Sequence, residues 1–456
     1  MEQTIWSLVP PVIAIALALV TKEVYSSLLI GILSGALFFS HFNLLGTVET
    51  TFAVMGEKVG GNINIVIFLV LLGVLVSLMT KSGASQAYGK WANKSIKSQR
   101  QALLATSGLG ALIFVDDYFN CLTVGAVMRP VTDANRVSRA KLAYIIDATA
   151  APICIIAPIS SWAAAVGSSL PEGSGLDGFN LFLQTIPFNF YALLTILMVL
   201  FLIISKFDFG PMRKYEQKHL RDYEKNLEAD RNAPVIAKKG KVLDLAVPIV
   251  VLIITCVLGM LYTGGILDGK SVTEAFGNCD SALSLVMGSF VTLLITFLLY
   301  IPRGIVSFRE FMDSLVEGFR AMAPAILILT LAWTLSGICG ENYLNAGGYV
   351  GKLVQSSQIS LAVMPAVFFL VAIGLAFATG TSWGTFLILI PIVITVFATS
   401  GSQLMVITIA SVLAGAVCGD HISPISDTTI LASTGADCNH IEHVATQMPY
   451  ALIVAA

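Results

Sequence analysis

The sequence predicts an all-α protein that crosses a lipid bilayer many times. Only 12% of its 456 residues are charged and 56% are hydrophobic, whereas soluble globular proteins carry about 25% charged residues. Apolar stretches of about 20 residues, the length that spans a bilayer as a helix, recur along the chain. An ordinary soluble protein is therefore excluded, and a net charge of −2 provides no basic surface for nucleic acid.

Two kinds of apolar segment occur along the chain. Seven uniform runs predict simple spanning helices at residues 5–20, 24–40, 62–80, 184–205, 242–263, 281–301 and 321–340. Four others, 101–130, 142–166, 361–398 and 403–434, contain Gly, Pro, Ser, Thr or Asp in their middles. Proline inside a span frees backbone carbonyls that hydrocarbon cannot satisfy. We therefore predict two re-entrant hairpins, 101–130 and 361–398, and two broken helices, 142–166 and 403–434.

The basic residues predict an orientation, because lysine and arginine concentrate on the cytoplasmic side of a membrane. If both hairpins enter and leave on one side, 23 of the 26 lysines and arginines share a side, and the other side holds Lys58, Lys270 and Lys352. Ten of the 23 lie within 206–241, which we interpret as a solvated cytoplasmic linker. Glu2 stands where a signal peptide would carry a basic residue, so we expect a retained first span with the N-terminus outside.

Self-comparison indicates an internal repeat at a displacement near 260 residues. Pro130 and Pro391 are 261 residues apart, and the string at 158–160 recurs 266 residues later at 424–426. Under the predicted orientation the two halves are inverted, an arrangement that secondary transporters use to expose a central site to alternate sides. A last span of ~20 residues is expected to begin near Val444, and the sequence ends at Ala456.

Oxygen-bearing side chains dominate the four interruptions, and we predict that they bind an ion or a substrate. An ionised Asp at the centre of a membrane helix costs about 2.5 to 3.5 kcal/mol, and every Lys and Arg falls in or near a loop. Carboxylate, hydroxyl and carbonyl oxygens are the ligands that a dehydrated cation such as Na⁺ takes. The candidates are Asp116, Asp117, Asn120, Thr123, Asp147, Thr149, Ser160, Thr379, Thr381, Ser382, Trp383, Asp420, His421, Ser423, Ser426, Asp427 and Thr428. The candidate Na⁺ ligands among them are Asp116, Asp117, Asp420 and Asp427, and no resident cofactor is predicted.

Structural alternatives accompany these predictions. A protonated Asp that caps a broken helix end is the alternative for each acid, since Asp favours N-caps. His421 is either a proton carrier or a hydrogen-bond anchor. The group His440, Glu442 and His443 has metal-like spacing, but we interpret it as a solvated face because a short loop offers no fourth ligand. The seven cysteines contain no CxxC pair and are interpreted as free buried thiols.

Three strings resemble the NhaC-type Na⁺/H⁺ antiporters of the ion transporter superfamily: FVDDYFNCLTVGAVMRPVTD, DATAAPICIIAPISSW and GDHISPISDTTILASTGADCNHIEHV. The resemblance implies scaffold helices at 1–100 and 242–360, transport elements at 101–205 and 361–456, and the linker at 206–241. It further implies elevator-like alternating access, a homodimer and a bacterial inner-membrane location.

Three functions follow for comparison. The leading hypothesis is exchange of Na⁺ for H⁺ by buried carboxylates, and the alternative is Na⁺- or H⁺-coupled exchange of small organic acids, such as malate or lactate, or of amino acids. The missing mid-membrane Lys or Arg counts against a bare organic anion. An intramembrane aspartyl protease is disfavoured, because Asp420 follows AVCG rather than a GxG turn and the repeat would be unexplained. We therefore predict a transporter and not an enzyme.

Overall fold

All regular secondary structure in the described part of the computed structural model is helical. It describes residues 2–456 apart from 22, 115, 159, 171–177, 231–239, 350–351, 353–359 and 398–402. In the first half the helices are α1 Val9–Thr21, α2 Val24–Phe39, α3 Leu44–Gly61, α4 Ile63–Ser82, α5 Ala84–Ser95, α6 Gln99–Leu112, α7 Asp117–Ala134, α8 Arg139–Thr149, α9 Ala151–Cys154, α10 Ser161–Ser168, α11 Gly178–Thr185 and α12 Phe190–Ser205. They continue with α13 Gly210–Asp230, α14 Leu243–Thr263, α15 Val272–Gly277, α16 Ser281–Tyr300, α17 Phe308–Cys339, α18 Met364–Thr379, α19 Ser382–Val396, α20 Gln403–Ile422, α21 Asp427–Ala436 and α22 His440–Ala455.

Many of these helices can cross a membrane. Among the described residues, seven helical segments are long and apolar enough, and a bent pair raises the number to eight. The seven are Ile63–Ser82, Phe190–Arg221, Leu243–Thr263, Ser281–Tyr300, Phe308–Cys339, Leu361–Thr379 and Gln403–Ile422. The bent pair is α2 with α3, which meet at 118°. The predicted multi-pass helical architecture is confirmed, whereas α3 was not predicted.

The structure interrupts the helices in all four regions where the sequence predicts interruption. Helix α6 ends at Leu112 and α7 begins at Asp117, whereas α20 ends at Ile422 and α21 begins at Asp427. Helix α9 ends at Cys154 and α10 begins at Ser161. Gly380 separates α18 from α19 with a φ of 69°, and a Cβ there would lie 2.4 Å from the carbonyl oxygen of Ile425. Only glycine fits this backbone.

The predicted linker is partly packed, so the interpretation of 206–241 as wholly solvated was wrong. Asp208 pairs with Lys141 of α8 and accepts a hydrogen bond from the Tyr450 hydroxyl of α22 at 2.7 Å. Glu216 of α13 is buried and accepts from the Gln99 amide at 3.1 Å. These polar contacts hold the first part of the linker against α8, α22 and α6, whereas residues 231–239 lie outside the described part.

Two close helix crossings position the site. A Cβ on Gly73 of α4 would lie 2.5 Å from the carbonyl oxygen of Gly318 of α17. A Cβ on Gly125 of α7 would lie 2.3 Å from the carbonyl carbon of Gly435 of α21. Glycines at a crossing let two backbones touch, as is common between membrane helices. The chain thus forms two tight pairs, α4 with α17 and α7 with α21.

Candidate ion-binding site

The helix interruptions of both halves meet at one place. The Tyr118 hydroxyl donates to the carboxylate of Asp427, which joins the starts of α7 and α21. The backbone N–H of Asp427 donates to the carbonyl of Gly380 at 3.3 Å. The Trp162 indole N–H of α10 donates to Asp117 Oδ2 at 3.2 Å. The first of these contacts joins residues that are 309 positions apart in the sequence.

Four carboxylates are buried around this meeting point. Asp116 caps α7 by accepting from the Phe119 N–H at 2.9 Å, and Asp117 is 0% exposed. Asp420 Oδ2 accepts from the Ser382 hydroxyl at 2.8 Å and from the Thr428 hydroxyl at 3.0 Å. Its Oδ1 has no hydrogen-bond partner among the described residues. Neighbouring hydroxyl groups therefore satisfy only part of the hydrogen-bonding capacity of the Asp420 carboxylate.

Helix N-termini face the same place. The helices α7, α10, α19 and α21 begin at Asp117, Ser161, Ser382 and Asp427, and the contacts above draw these four starts together. The first turn of a helix carries unpaired N–H groups and the positive end of the helix dipole. This arrangement favours ionised carboxylates and other anions at the interruptions.

A cavity of about 850 Å³ opens onto the site. From the interruptions it is lined by Asp116, Tyr118, Ser161, Thr379, Gly380, Thr381, Trp383 and Asp427. The opposite wall includes Lys58, Asn62, Asp280, Trp333 and Ser336. Asp117 and Asp420 are buried and do not line the cavity. A water molecule takes about 30 Å³ of liquid volume, so the cavity has room for a hydrated ion or a small organic solute.

A second cavity of about 500 Å³ lies between the same helices at their other ends. Its lining includes Lys81 on α4, Glu317 on α17, Arg129 on α7 and Ser433 on α21. The rings of Phe68 and Phe119 lie 6.4 Å apart, and both are buried. On α4 and α7 these two residues come between those that line the larger cavity, Ile65 and Tyr118, and those that line the smaller one, Leu72 and Leu122.

Several predicted residues bind the backbone instead of facing the cavity. The side chains of Asn120, Thr149, Ser160 and Ser423 donate to main-chain carbonyls at 2.7 to 2.8 Å. The Ser426 hydroxyl caps α21 by accepting from the Thr429 N–H at 3.3 Å. Thr123 is buried, and its hydroxyl has no partner among the described residues. These contacts shape the interruptions and do not directly supply ligands to the cavity.

Asp147 and His421 belong to a separate buried cluster that does not line the cavity. Asp147 Oδ2 accepts from the Gln447 amide at 2.6 Å and lies 3.3 Å from His443 Nε2. His421 Nε2 lies 3.9 Å from Asp147 Oδ1, and its Nδ1 lies 3.0 Å from the Tyr191 hydroxyl. The ionisable partners of Asp147 in this cluster are therefore two histidines.

The interpretation of His440, Glu442 and His443 as a solvated face was wrong for both histidines. His440 is 9% exposed and His443 is 0% exposed, whereas Glu442 is exposed. The segment is the first turn of α22 and not a loop, with Asn439 as its N-cap, so residues three apart share the inward face. Within the described residues no group of three or more His, Cys, Asp or Glu can hold a metal.

Sequence reasoning also missed residues that line or support the site. Tyr118 follows the acid pair directly, and this position in the string VDDYFN was the available signal. Lys58 also lines the cavity. It lies on α3, a helix that the sequence did not predict because charged residues interrupt its hydrophobic run. The aliphatic stem of Lys58 packs near Gly337, where a Cβ would lie 2.7 Å from its Cγ. The seven cysteines are free thiols, as predicted, but only five are buried, whereas Cys279 and Cys438 are partly exposed.

Interrupted membrane helices with buried carboxylates beside a cavity are features of a secondary transporter. The comparison with known families agrees. The chain belongs to the Na⁺/H⁺ antiporter family, whose family model matches residues 161–456. The resemblance to this family is thus confirmed, and the protein is a transporter and not an enzyme.

Three relatives extend this comparison. An uncharacterized protein of Haemophilus influenzae is 43% identical over all of this chain and 89% of its own length. The malate-2H(+)/Na(+)-lactate antiporter of Bacillus subtilis is 31% identical over 36% of this chain and 34% of its own. An uncharacterized Na(+)/H(+) antiporter of H. influenzae is 31% identical over 30% of this chain and 29% of its own.

Proposed function

We propose that this protein exchanges Na⁺ for H⁺ across the membrane with carboxylates that hold either ion in turn. The observation that carries the proposal is the buried group of four Asp residues where the interruptions meet, two of which line the larger cavity. Buried carboxylates are stable only when a cation, a proton or hydrogen bonds compensate them. Competition of Na⁺ and H⁺ for the same oxygens couples the two fluxes.

Each carboxylate has a role in this proposal. Asp116 and Asp427 take Na⁺ from the cavity, together with oxygen atoms of Thr379 or Thr381. Asp117 and Asp420 lie behind them and complete the negative charge of the site. Tyr118 holds Asp427 in place by its hydrogen bond.

We further propose that the two halves form an inverted repeat and that the two cavities are the two access routes. The helices α7, α18, α19, α20 and α21 would form the transport domain, with α4 and α17 in the scaffold. The basic-residue pattern assigns the larger cavity, with Lys58, to the outside, and the smaller one, with Lys81 and Arg129, to the cytoplasm. A homodimer in a bacterial inner membrane completes this proposal.

Purified protein in liposomes that enclose a pH dye tests the exchange. An inward Na⁺ gradient should drive H⁺ out and make the interior alkaline, without any organic solute. Asp427→Asn should abolish this response. Asp280→Asn is the matched control, because Asp280 lines the same cavity but caps α16, and Asn caps helices equally well. A wild-type protein that moves no H⁺ with Na⁺ or Li⁺ would overturn the proposal.

A specific observation favours a second candidate, the coupled exchange of a small organic acid or amino acid. A cavity of about 850 Å³ lies within the 300 to 1,000 Å³ typical of organic-ligand pockets. Lys58, which pairs with Glu57 at 2.8 Å, would exchange this partner for a carboxylate of the solute, and Trp333 and Trp383 offer apolar walls. The B. subtilis relative is named for malate and lactate. Counterflow with malate, lactate and amino acids in the same liposomes distinguishes the candidates, because only the second requires the solute.

A further inference from the structure

A second group of titratable side chains lies buried outside both cavities. Asp147 of α8, with His443 and Gln447 of α22, is at most 1% exposed. Asp147 Oδ2 accepts from the Gln447 amide at 2.6 Å and lies 3.3 Å from His443 Nε2. An ionised carboxylate only accepts hydrogen bonds, so the Nε2 of a neutral His443 carries the hydrogen of that contact.

Three buried atoms of this group have no hydrogen-bond partner among the described residues. They are Asp147 Oδ1, His443 Nδ1 and Gln447 Oε1, and the neighbouring His421 Nε2, which lies 3.9 Å from Asp147 Oδ1, also has no partner there. With Asp147 ionised and His443 neutral, all three are acceptors. Each unpaired buried acceptor costs about 1 to 3 kcal/mol. The group therefore lacks hydrogen atoms, and an added proton would supply one.

The surroundings give Asp147 little permanent positive charge. The titratable groups that face it or its partners are His421 and Cys418 on α20, Tyr191 on α12, Cys121 on α7, Asp427 on α21 and His440 on α22. Lys141, on the same helix as Asp147, is paired with Asp208. With both histidines neutral the group carries one buried negative charge, which is costly unless it is neutralised.

We propose that Asp147 and His443 together bind a proton at a site separate from the ions of the cavity. Proton binding neutralises the group and converts one of its unpaired acceptors into a donor. The Gln447 amide also donates to the main-chain carbonyl of His421 at 2.9 Å, and that residue follows Asp420. A role for this proton in transport rests on the proposed function, whereas the binding of the proton does not.

Solid-state NMR of the full chain in lipid bilayers, labelled with ¹⁵N-histidine and ¹³C-aspartate, tests the proposal from about pH 5 to about pH 9. The signals are assigned with His443→Gln, His440→Gln and Asp147→Asn. We expect the Asp147 or His443 signals to change protonation state within this range. In Asp147→Asn this change should be lost.

His440 is the internal control, because it is a buried histidine on the same helix with both ring nitrogens partnered. Its Nε2 lies 2.8 Å from the carbonyl of Pro424, and its Nδ1 lies 3.2 Å from the Ser433 hydroxyl. His440 should keep one neutral form throughout.

The wild-type titration decides the proposal even if a variant fails to fold. Constant protonation of both Asp147 and His443 over the whole range would overturn it. A titrating pair in a protein that shows no exchange in liposomes would support the proton site and refute the exchange, so the two failures are distinguishable.

Discussion

Gly125→Ala is expected to destabilise the protein, because the contact between α7 and α21 leaves no room for a methyl group. The new Cβ would lie 2.3 Å from the carbonyl carbon of Gly435, 2.4 Å from its oxygen and 2.6 Å from its Cα. Ordinary van der Waals contacts with a Cβ lie at 3.4 to 4 Å, so the two helices would have to separate by about 1 Å. Both backbones belong to helices, and neither can move alone.

The expected loss follows from two opposing terms. Overpacking of this kind costs about 1 to 3 kcal/mol, and the better helix propensity of Ala offsets at most ~1 kcal/mol. Gly108→Ala is the matched control, since a Cβ on Gly108 of α6 meets nothing within 4 Å and should gain only the propensity term. The free energy of unfolding of the two variants should therefore differ by about 1 to 3 kcal/mol.

Thermal unfolding in detergent, followed by size-exclusion chromatography of the remaining monodisperse protein, provides the comparison. Gly125→Ala should show an apparent Tm about 1 to 3 °C below that of Gly108→Ala. Exchange should also fall, because the displaced helix carries Tyr118 away from Asp427. An apparent Tm for Gly125→Ala equal to or above that of Gly108→Ala would refute the packing argument.

Other expected outcomes concern the ions, the barrier and the topology. Sodium-binding calorimetry between about pH 6 and pH 9 should show affinity weakening about tenfold per pH unit on acidification for each proton displaced, whereas a constant affinity would mean that protons travel elsewhere. A folded Asp117→Ala, Asp420→Ala double variant should lose exchange, and full activity would remove both residues from the site. Phe119→Ala should let Na⁺ leak passively into liposomes, and an unchanged leak rate would argue that Phe119 is not part of the barrier. In a cysteine-free background, a single cysteine near Arg136 should be labelled only from the cytoplasm and one near Lys270 only from outside; external labelling near Arg136 would contradict the first hairpin.

The spans and interruptions were predictable because their signals are local. Apolar length predicts a helix at 242–263, observed as Leu243–Thr263, and at 281–301, observed as Ser281–Tyr300. Helix α3 escaped prediction because Glu49, Glu57 and Lys58 interrupt its hydrophobicity. It meets α2 at 118°, and the residues at the bend, His41 and Phe42, have positive φ angles of 52° and 65°.

The site could be predicted only in part, because it depends on contacts between residues that are far apart in the sequence. The acids and hydroxyls were identified from their position in apolar runs, but nothing in the sequence assigns Tyr118 to Asp427 or Gln447 to Asp147. The division of the candidates into a cavity group and a buried histidine group also follows from tertiary packing. The start of α22 had a local signal, since Asn439 followed three residues later by Glu442 is typical of a helix start.

The aromatic contact between the two cavities determines where a membrane voltage would act. A water-filled space that opens to one side of the membrane takes the electrical potential of the solution on that side. Although the bilayer core is about 30 Å thick, most of the potential would therefore drop over the short distance occupied by Phe68 and Phe119. Each elementary charge that crosses this layer at 100 mV gains or loses about 2.3 kcal/mol. One Na⁺ exchanged for one H⁺ moves no net charge and is indifferent to voltage. One Na⁺ exchanged for two H⁺ transfers one net charge, which makes that exchange electrogenic, and the voltage would act on it mainly across this thin layer.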